Sequence, residues 1–178
     1  MLLLSEDDVR RALPMAEAIA VNEAAFEALA SGDAQCPARA VLRGAHGPSL
    51  FKPALLPGAA GGSEALGLKV VSVRPGNADR GLPTVPATIV TFDAATGLPD
   101  ALVAATWLTA LRTAAGSGAA TKLLAKADSA HLVVFGAGLQ AEAHVSAMKV
   151  ARPSLARLTI VRRPRLFFPS PRGRAAGR

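Results

Sequence analysis

The stretch from residue 131 to 161 constrains the fold more than any other part of the chain. His131 is followed by Leu132-Val133-Val134-Phe135, a short apolar run of the kind shown by a parallel strand buried on both faces. Gly136-Ala137-Gly138-Leu139-Gln140-Ala141 follows at once, and residues 141–150 read as helix up to Arg152-Pro153. Leu158-Thr159-Ile160-Val161 then reads as a second strand. Strand, G-x-G-x-x-A, helix and strand within about thirty residues is the context in which this glycine motif signifies dinucleotide binding. Gly136 permits the tight turn, Gly138 lets a pyrophosphate approach the backbone, and Ala141 allows close helix–strand packing. The helix N-terminus then offers free N–H groups to the phosphates. A glycine-rich turn without a ligand is the plain alternative.

Dinucleotide sites commonly end the second strand with an acid for the ribose hydroxyls, or with arginine for the extra phosphate of NADP. Arg162 and Arg163 stand there, which favours NADP(H) over NAD(H) as cofactor. Both arginines also belong to a basic tail, and that is the competing explanation. Residues 162–178 hold six Arg and no acid, whereas the rest of the chain carries 14 basic and 13 acidic residues. All but one unit of the net charge of +7 therefore resides in the tail. With 4% aromatic residues and no basic stripe elsewhere, dedicated nucleic-acid binding is not expected. The Pro/Arg-rich segment 164–178 lacks periodicity and is expected to be disordered.

Before residue 129 the pattern is α+β. Ser5 with Asp8 three residues on resembles a capping box, and Pro14 suits the first turn of a second helix bearing Met15, Ile19, Phe26 and Leu29. Ser31-Gly32-Asp33 stops it. Residues 38–43, 49–52, 66–74, 85–92 and 98–104 read as short strands bounded by Gly or Pro, and Asp93-Ala94-Ala95-Thr96-Gly97 reads as a hairpin loop. The sheet is expected to be mainly antiparallel. Residues 106–126 form the longest helical stretch, rich in small side chains from Ala110 to Ala120. Glycine inside a helix costs about 1 kcal/mol relative to alanine. A smooth surface against another backbone, within the core or at a ligand, is the compensation to look for.

The expected fold class is α/β: an α+β domain over 1–128, an incomplete Rossmann βαβ unit over 129–163, and a tail over 164–178. No apolar stretch is long enough to span a bilayer, and Met1-Leu2-Leu3-Leu4 runs into Ser5-Glu6-Asp7-Asp8 without the character of a signal peptide. A cytoplasmic location is expected. Cys36 is the single cysteine and, lacking clustered His or Cys neighbours, suggests no metal site. His131 and His144 are expected to be structural.

Pro37-Ala38-Arg39, Leu68-Lys69-Val70, Gly81-Leu82-Pro83-Thr84, Leu108-Thr109-Ala110-Leu111-Arg112-Thr113-Ala114-Ala115 and the Gly136–Ala141 motif together resemble the ornithine cyclodeaminase and mu-crystallin family. The resemblance runs from residue 1 to about 163. It implies a homodimer whose substrate and dimerisation domain is joined to a Rossmann domain. It also implies NAD(P)-dependent hydride transfer on a small amino or imino acid, as in cyclodeaminases, alanine dehydrogenases of this type and ketimine reductases. By the same resemblance Arg39, Lys69 and Arg112 gather round the substrate carboxylate, and Thr84, Arg112, Gly136, Gly138, Leu139 and Gln140 touch the cofactor. Guanidinium forks suit a planar carboxylate. Lys69 interrupts an apolar strand, where a cation is costly unless paired, and would be the catalytic residue that assists proton transfer at nitrogen. The alternatives are an edge-strand gatekeeper for Lys69 and ordinary surface or ion-pair roles for Arg39 and Arg112.

The family pattern continues well beyond Val161, while this chain turns to Pro and Arg. The expectation is a truncated chain without turnover. Its alternatives are an active reductase, or a protein that binds NADPH and a small ligand of thyroid-hormone type without turning over.

Overall fold

The computed structural model describes residues 1–58 and 62–162. Arg163 and the segment 164–178 therefore lie outside the described residues. A six-stranded sheet is built from β1 (Leu2–Leu4), β2 (Ala40–Gly44), β3 (Gly47–Leu56), β4 (Ala65–Ser72), β5 (Ala87–Asp93) and β6 (Pro99–Ala104), in the order β1-β6-β5-β4-β3-β2. All pairings are antiparallel except β1 with β6. Helices α1 (Glu6–Ala12), α2 (Met15–Ser31) and α3 (Thr106–Leu124) belong with this sheet, and a short 3-10 helix occupies Pro75–Arg80. A separate parallel pair, β7 (His131–Phe135) and β8 (Arg157–Val161), is joined by α4 (Leu139–Ala151). This is the βαβ unit that the glycine motif foretells.

Local chemistry accounts for the element ends. Ser5 caps α1: its hydroxyl accepts from the Asp8 amide at 3.2 Å, and the Asp8 carboxylate accepts from the Ser5 amide at 2.9 Å. The β5–β6 turn closes because Gly97 adopts φ 71° and the Asp93 carboxylate accepts from the Thr96 amide at 2.7 Å. Two strands differ from the sequence expectation. Residues 49–52 lengthen into β3, which passes through Pro48 and Pro53. Alternation puts the nitrogen of Pro53 on the side of β2, between the Ala40–Phe51 pair and the Gln35–Leu55 bridge, where no ladder bond is required of it. Leu2–Leu4, not assigned as a strand from sequence, adds to β6 because a non-local partner is available there.

Among the described residues, helices pack on one face of the large sheet. Val71 and Ala87 cluster with Ala105, and Ile89 and Leu108 close over them. The register sends Leu68, Val70, Val90, Phe92 and Leu102 to the opposite face, where they remain partly exposed.

The second core lies among helices. Ala18, Ile19, Ala110, Ala114, Ala115, Ala119, Ala143 and Ala147 are buried together, so α4 of the βαβ unit shares a core with α2 and α3. The small residues of α3 serve this helix–helix contact. A Cβ at Gly118 would stand 2.9 Å from Ile19 Cδ1 and 3.5 Å from the Ala147 Cβ. A Cβ at Gly116 would meet the Phe26 ring at 3.5 Å, an ordinary contact. Arg152, following α4, donates to the carbonyls of Lys122 and Ala125 at 2.9 and 2.6 Å, satisfying orphan acceptors at the end of α3. Arg10 of α1 stacks on Trp107 of α3 at 3.8 Å from the ring centroid.

The two glycines should respond oppositely to substitution. Gly118→Val overpacks against the buried, χ1-stiff Ile19 and is expected to destabilise the fold by about 2 kcal/mol. Gly116→Ala is expected to stabilise by up to about 1 kcal/mol through helix propensity. Urea denaturation of the two variants beside the parent measures both.

Candidate functional site

On β4 the register faces Lys69 with Ile89 of β5 and with Lys52 of β3. Lys69 therefore shares the helix-facing side of the sheet with Val71, two residues on. Arg112 descends from α3, one turn beyond Leu108, which packs over that same face. Arg39 immediately precedes β2, the strand beside β3.

Their electrostatics show that these groups are neighbours. The Lys69 ammonium is pushed down to about 8, first by burial and then by the positive charges of Arg112 and Lys52. Lys52 is lowered by burial, then by Arg112 and Arg39. Cys36 lies close enough to act on both lysines in the opposite sense. Arg112 keeps access to solvent along its side chain, yet the protein around its guanidinium lowers its pKa too. The structure thus brings Arg39, Lys69 and Arg112 into one basic cluster and adds Lys52, which the sequence reading did not single out. Among the described residues the ion pairs are Arg10–Glu6, Arg11–Asp8 and Lys122–Glu23, none within this cluster.

A concavity of about 420 Å³ runs along β7 and the start of α4, lined by Gly136, Gly138, Gln140 and His144 among others. Gly136 has φ 117°, a conformation that favours glycine, and a Cβ on either Gly136 or Gly138 would point into open space. The Gly136 amide is spent on the Val161 carbonyl at 2.9 Å, holding the loop against the end of β8. Leu139 and Gln140, the first residues of α4, precede any residue able to reach an intrahelical carbonyl, so their amides are available. An open glycine cradle followed by free helix amides fits a diphosphate. Arg162 follows β8 and is exposed.

Helix α3 links the basic cluster to this concavity. Arg112 and Ser117 are separated by about 7.5 Å of helix rise, and Ser117 Oγ lies 3.1 Å from His144 Nε2 on α4. His144 Nδ1 is 2.6 Å from the Gln140 carbonyl, which can only accept, so Nδ1 donates that bond and Nε2 meets the Ser117 hydroxyl. His131 bridges Thr159 and Arg157 across the β7–β8 pair. Both histidines have structural bonds. Thr84 is exposed; its carbonyl accepts from the Arg74 amide at 2.8 Å, and it is not among the groups acting on the basic cluster.

The class of fold is thereby defined: an α+β domain carrying a partly buried cationic cluster, followed by a βαβ unit of dinucleotide-binding type with an open glycine loop. The chain belongs to the ornithine cyclodeaminase/mu-crystallin family, which matches residues 1–165. It is similar to an uncharacterized cyclodeaminase of Dictyostelium discoideum, 34% identical over 177 residues, covering 90% of this chain and 47% of that protein. Among solved structures it resembles Thermococcus litoralis Delta(1)-pyrroline-2-carboxylate reductase in complex with NADH and L-proline. That match has TM-score 0.87 and 38% identity over 93% of this chain and 50% of the other. An archaeal alanine dehydrogenase dimer with bound NAD gives TM-score 0.82 and 35% identity over 91% and 48% of the two chains. The chain spans about half the length of the relatives it matches.

The basic cluster makes a titration prediction. A lysine depressed to about 8 binds fewer protons when folded than when unfolded, from pH 8 up to its ordinary 10.5. Stability is therefore expected to rise with pH across that window. Following the Lys69 ¹³Cε shift should give a midpoint near 8. Arg112→Met should move it upward by removing a neighbouring like charge; an unchanged midpoint would contradict the clustering.

Proposed function

We propose that the chain carries the acid-binding domain and the pyrophosphate-binding half of an NAD(P)-dependent oxidoreductase acting on a small amino or imino acid. The observation that carries this is the grouping of Lys69, Lys52 and Arg112 on the helix-facing side of the sheet, with Arg39 near enough to act on Lys52, joined through α3 to the open Gly136–Gly138 loop. In this reading residues 1–128 bind the acid and residues 129–163 hold the cofactor.

When bound, the dinucleotide exchanges a hydride with the substrate carbon. The imine carbon gains the hydride while its nitrogen gains a proton, and the reverse direction removes both. The chain's residues position and protonate. Arg39 and Arg112 offer fork-shaped donors that orient the carboxylate and hold the adjacent carbon in line. Lys69, with a pKa near 8, is charged at neutral pH and still able to part with its proton, as a general acid toward nitrogen requires. Gly136, Gly138 and the amides of Leu139 and Gln140 would hold the diphosphate, and Thr84 and Arg112 would serve the same cofactor. Arg162 supports NADP(H) over NAD(H), because a guanidinium there suits a ribose 2′-phosphate; Arg163 would join it. The reading places the protein in the cytoplasm. Phe135 is 82% exposed at the cofactor end of β7, so the described residues supply only one wall of the nicotinamide site. That favours, as a second reading, cofactor and ligand binding without turnover.

Fluorescence titration tests the cofactor half. NADPH is expected to bind more tightly than NADH, and Gly138→Val to weaken both about tenfold or more by filling the cradle. Loss of one charge-assisted bond in Arg162→Ala should narrow the NADPH advantage by roughly tenfold. Absence of binding to either dinucleotide would sink the proposal.

A homodimer is part of the same reading. The sheet face bearing Leu68, Val70, Val90 and Phe92 is apolar and has no helical cover among the described residues, and the same face of a second copy would cover it. Light scattering is expected to return twice the 18.1 kDa chain mass, and Val90→Lys to return the monomer.

A further inference from the structure

The basic cluster contains one cation for which a single carboxylate has no use. Lys52 of β3 stands directly opposite Lys69 of β4, so both side chains leave the sheet on the side of α3. Like charges at opposed positions in a ladder are destabilising. Burial adds to the cost for each of them. Arg39 and Arg112 both act on Lys52, which makes it a member of the cluster. Four cations thus form one cluster, and the carboxylates paired elsewhere in the described residues, Glu6, Asp8 and Glu23, do not neutralise them.

One carboxylate has two oxygens and about four lone-pair directions. Arg39, Lys69 and Arg112 fill them. Lys52 remains, its Cα roughly 5 Å from that of Lys69 across the ladder, a displacement comparable with the span between the carboxyl groups of a short dicarboxylic acid.

We propose that Lys52 binds a second carboxylate, making the acid accepted by this site a short amino- or iminodicarboxylic acid. This rests on the reading that Arg39, Lys69 and Arg112 hold the first carboxylate. The second anionic group would give the opposed lysines the counter-charge that the protein itself does not supply, and would turn an electrostatic cost in the empty site into selectivity for a doubly charged ligand.

Calorimetric titration of the full chain with L-aspartate and L-alanine at neutral pH tests this. Aspartate is expected to bind about tenfold or more tightly than alanine, the gain of one charge-assisted contact. Lys52→Met is expected to reduce that ratio to near one, and Lys52→Arg to keep most of it. Equal affinity for the two acids in the parent protein, or an undiminished ratio in Lys52→Met, overturns the assignment while leaving the carboxylate site intact. Failure of both acids to bind removes the carboxylate site and this inference with it. Succinate against propionate gives the same ratio on the unsubstituted protein, so the outcome does not depend on the variant folding.

Discussion

Close approach of helix backbones along α3 is the constraint on which the molecule depends. Gly118 lets Ile19 of α2 and Ala147 of α4 press against the helix from two sides, and the surrounding alanines keep both neighbours within contact. Larger side chains would push α2 and α4 outward, and the βαβ unit is held to the rest of the chain largely through α4. The helix therefore forgoes intrinsic propensity at Gly116 and Gly118 in return for packing, because dispersion contacts between close backbones accumulate along its length. Arg152 reinforces the junction by saturating carbonyls at the end of α3.

The same helix carries the chemistry. Its first half sets Arg112 over the sheet beside Lys69, and its second half meets His144 at the edge of the glycine loop. A rigid rod of known rise thus sets the spacing between the basic cluster and the glycine loop, and in the proposed reading it fixes the separation of acid and cofactor. The burial that depresses Lys69 follows from its position on a packed sheet face, and the surplus of positive charge follows from strand register.

Much of this was legible in the residues. The β7–α4–β8 unit was readable because its apolar run, glycine spacing and helix are contiguous, so no distant contact is needed to define them. The Ser5–Asp8 cap and the Asp93–Gly97 turn were readable for the same reason. Leu2–Leu4 was not, since three leucines become a strand only when β6 stands beside them. Pro53 pointed to a strand boundary, and only the neighbouring strand's early end made it harmless within β3. The role of the small residues in α3 was open between ligand and helix until Ile19 and Ala147 were seen against Gly118.

Local order in the chain determined the dinucleotide-type βαβ unit, the α+β character of what precedes it, and the types of residue suited to an acid and a phosphate. Tertiary structure alone decided that Lys52 faces Lys69, that Arg39 and Arg112 join them, and that one sheet face stays uncovered. The physical reason is parity. A strand's side chains alternate, and which of two faces a lysine occupies depends on pairing with residues far away in sequence, a register that no short window of the chain encodes.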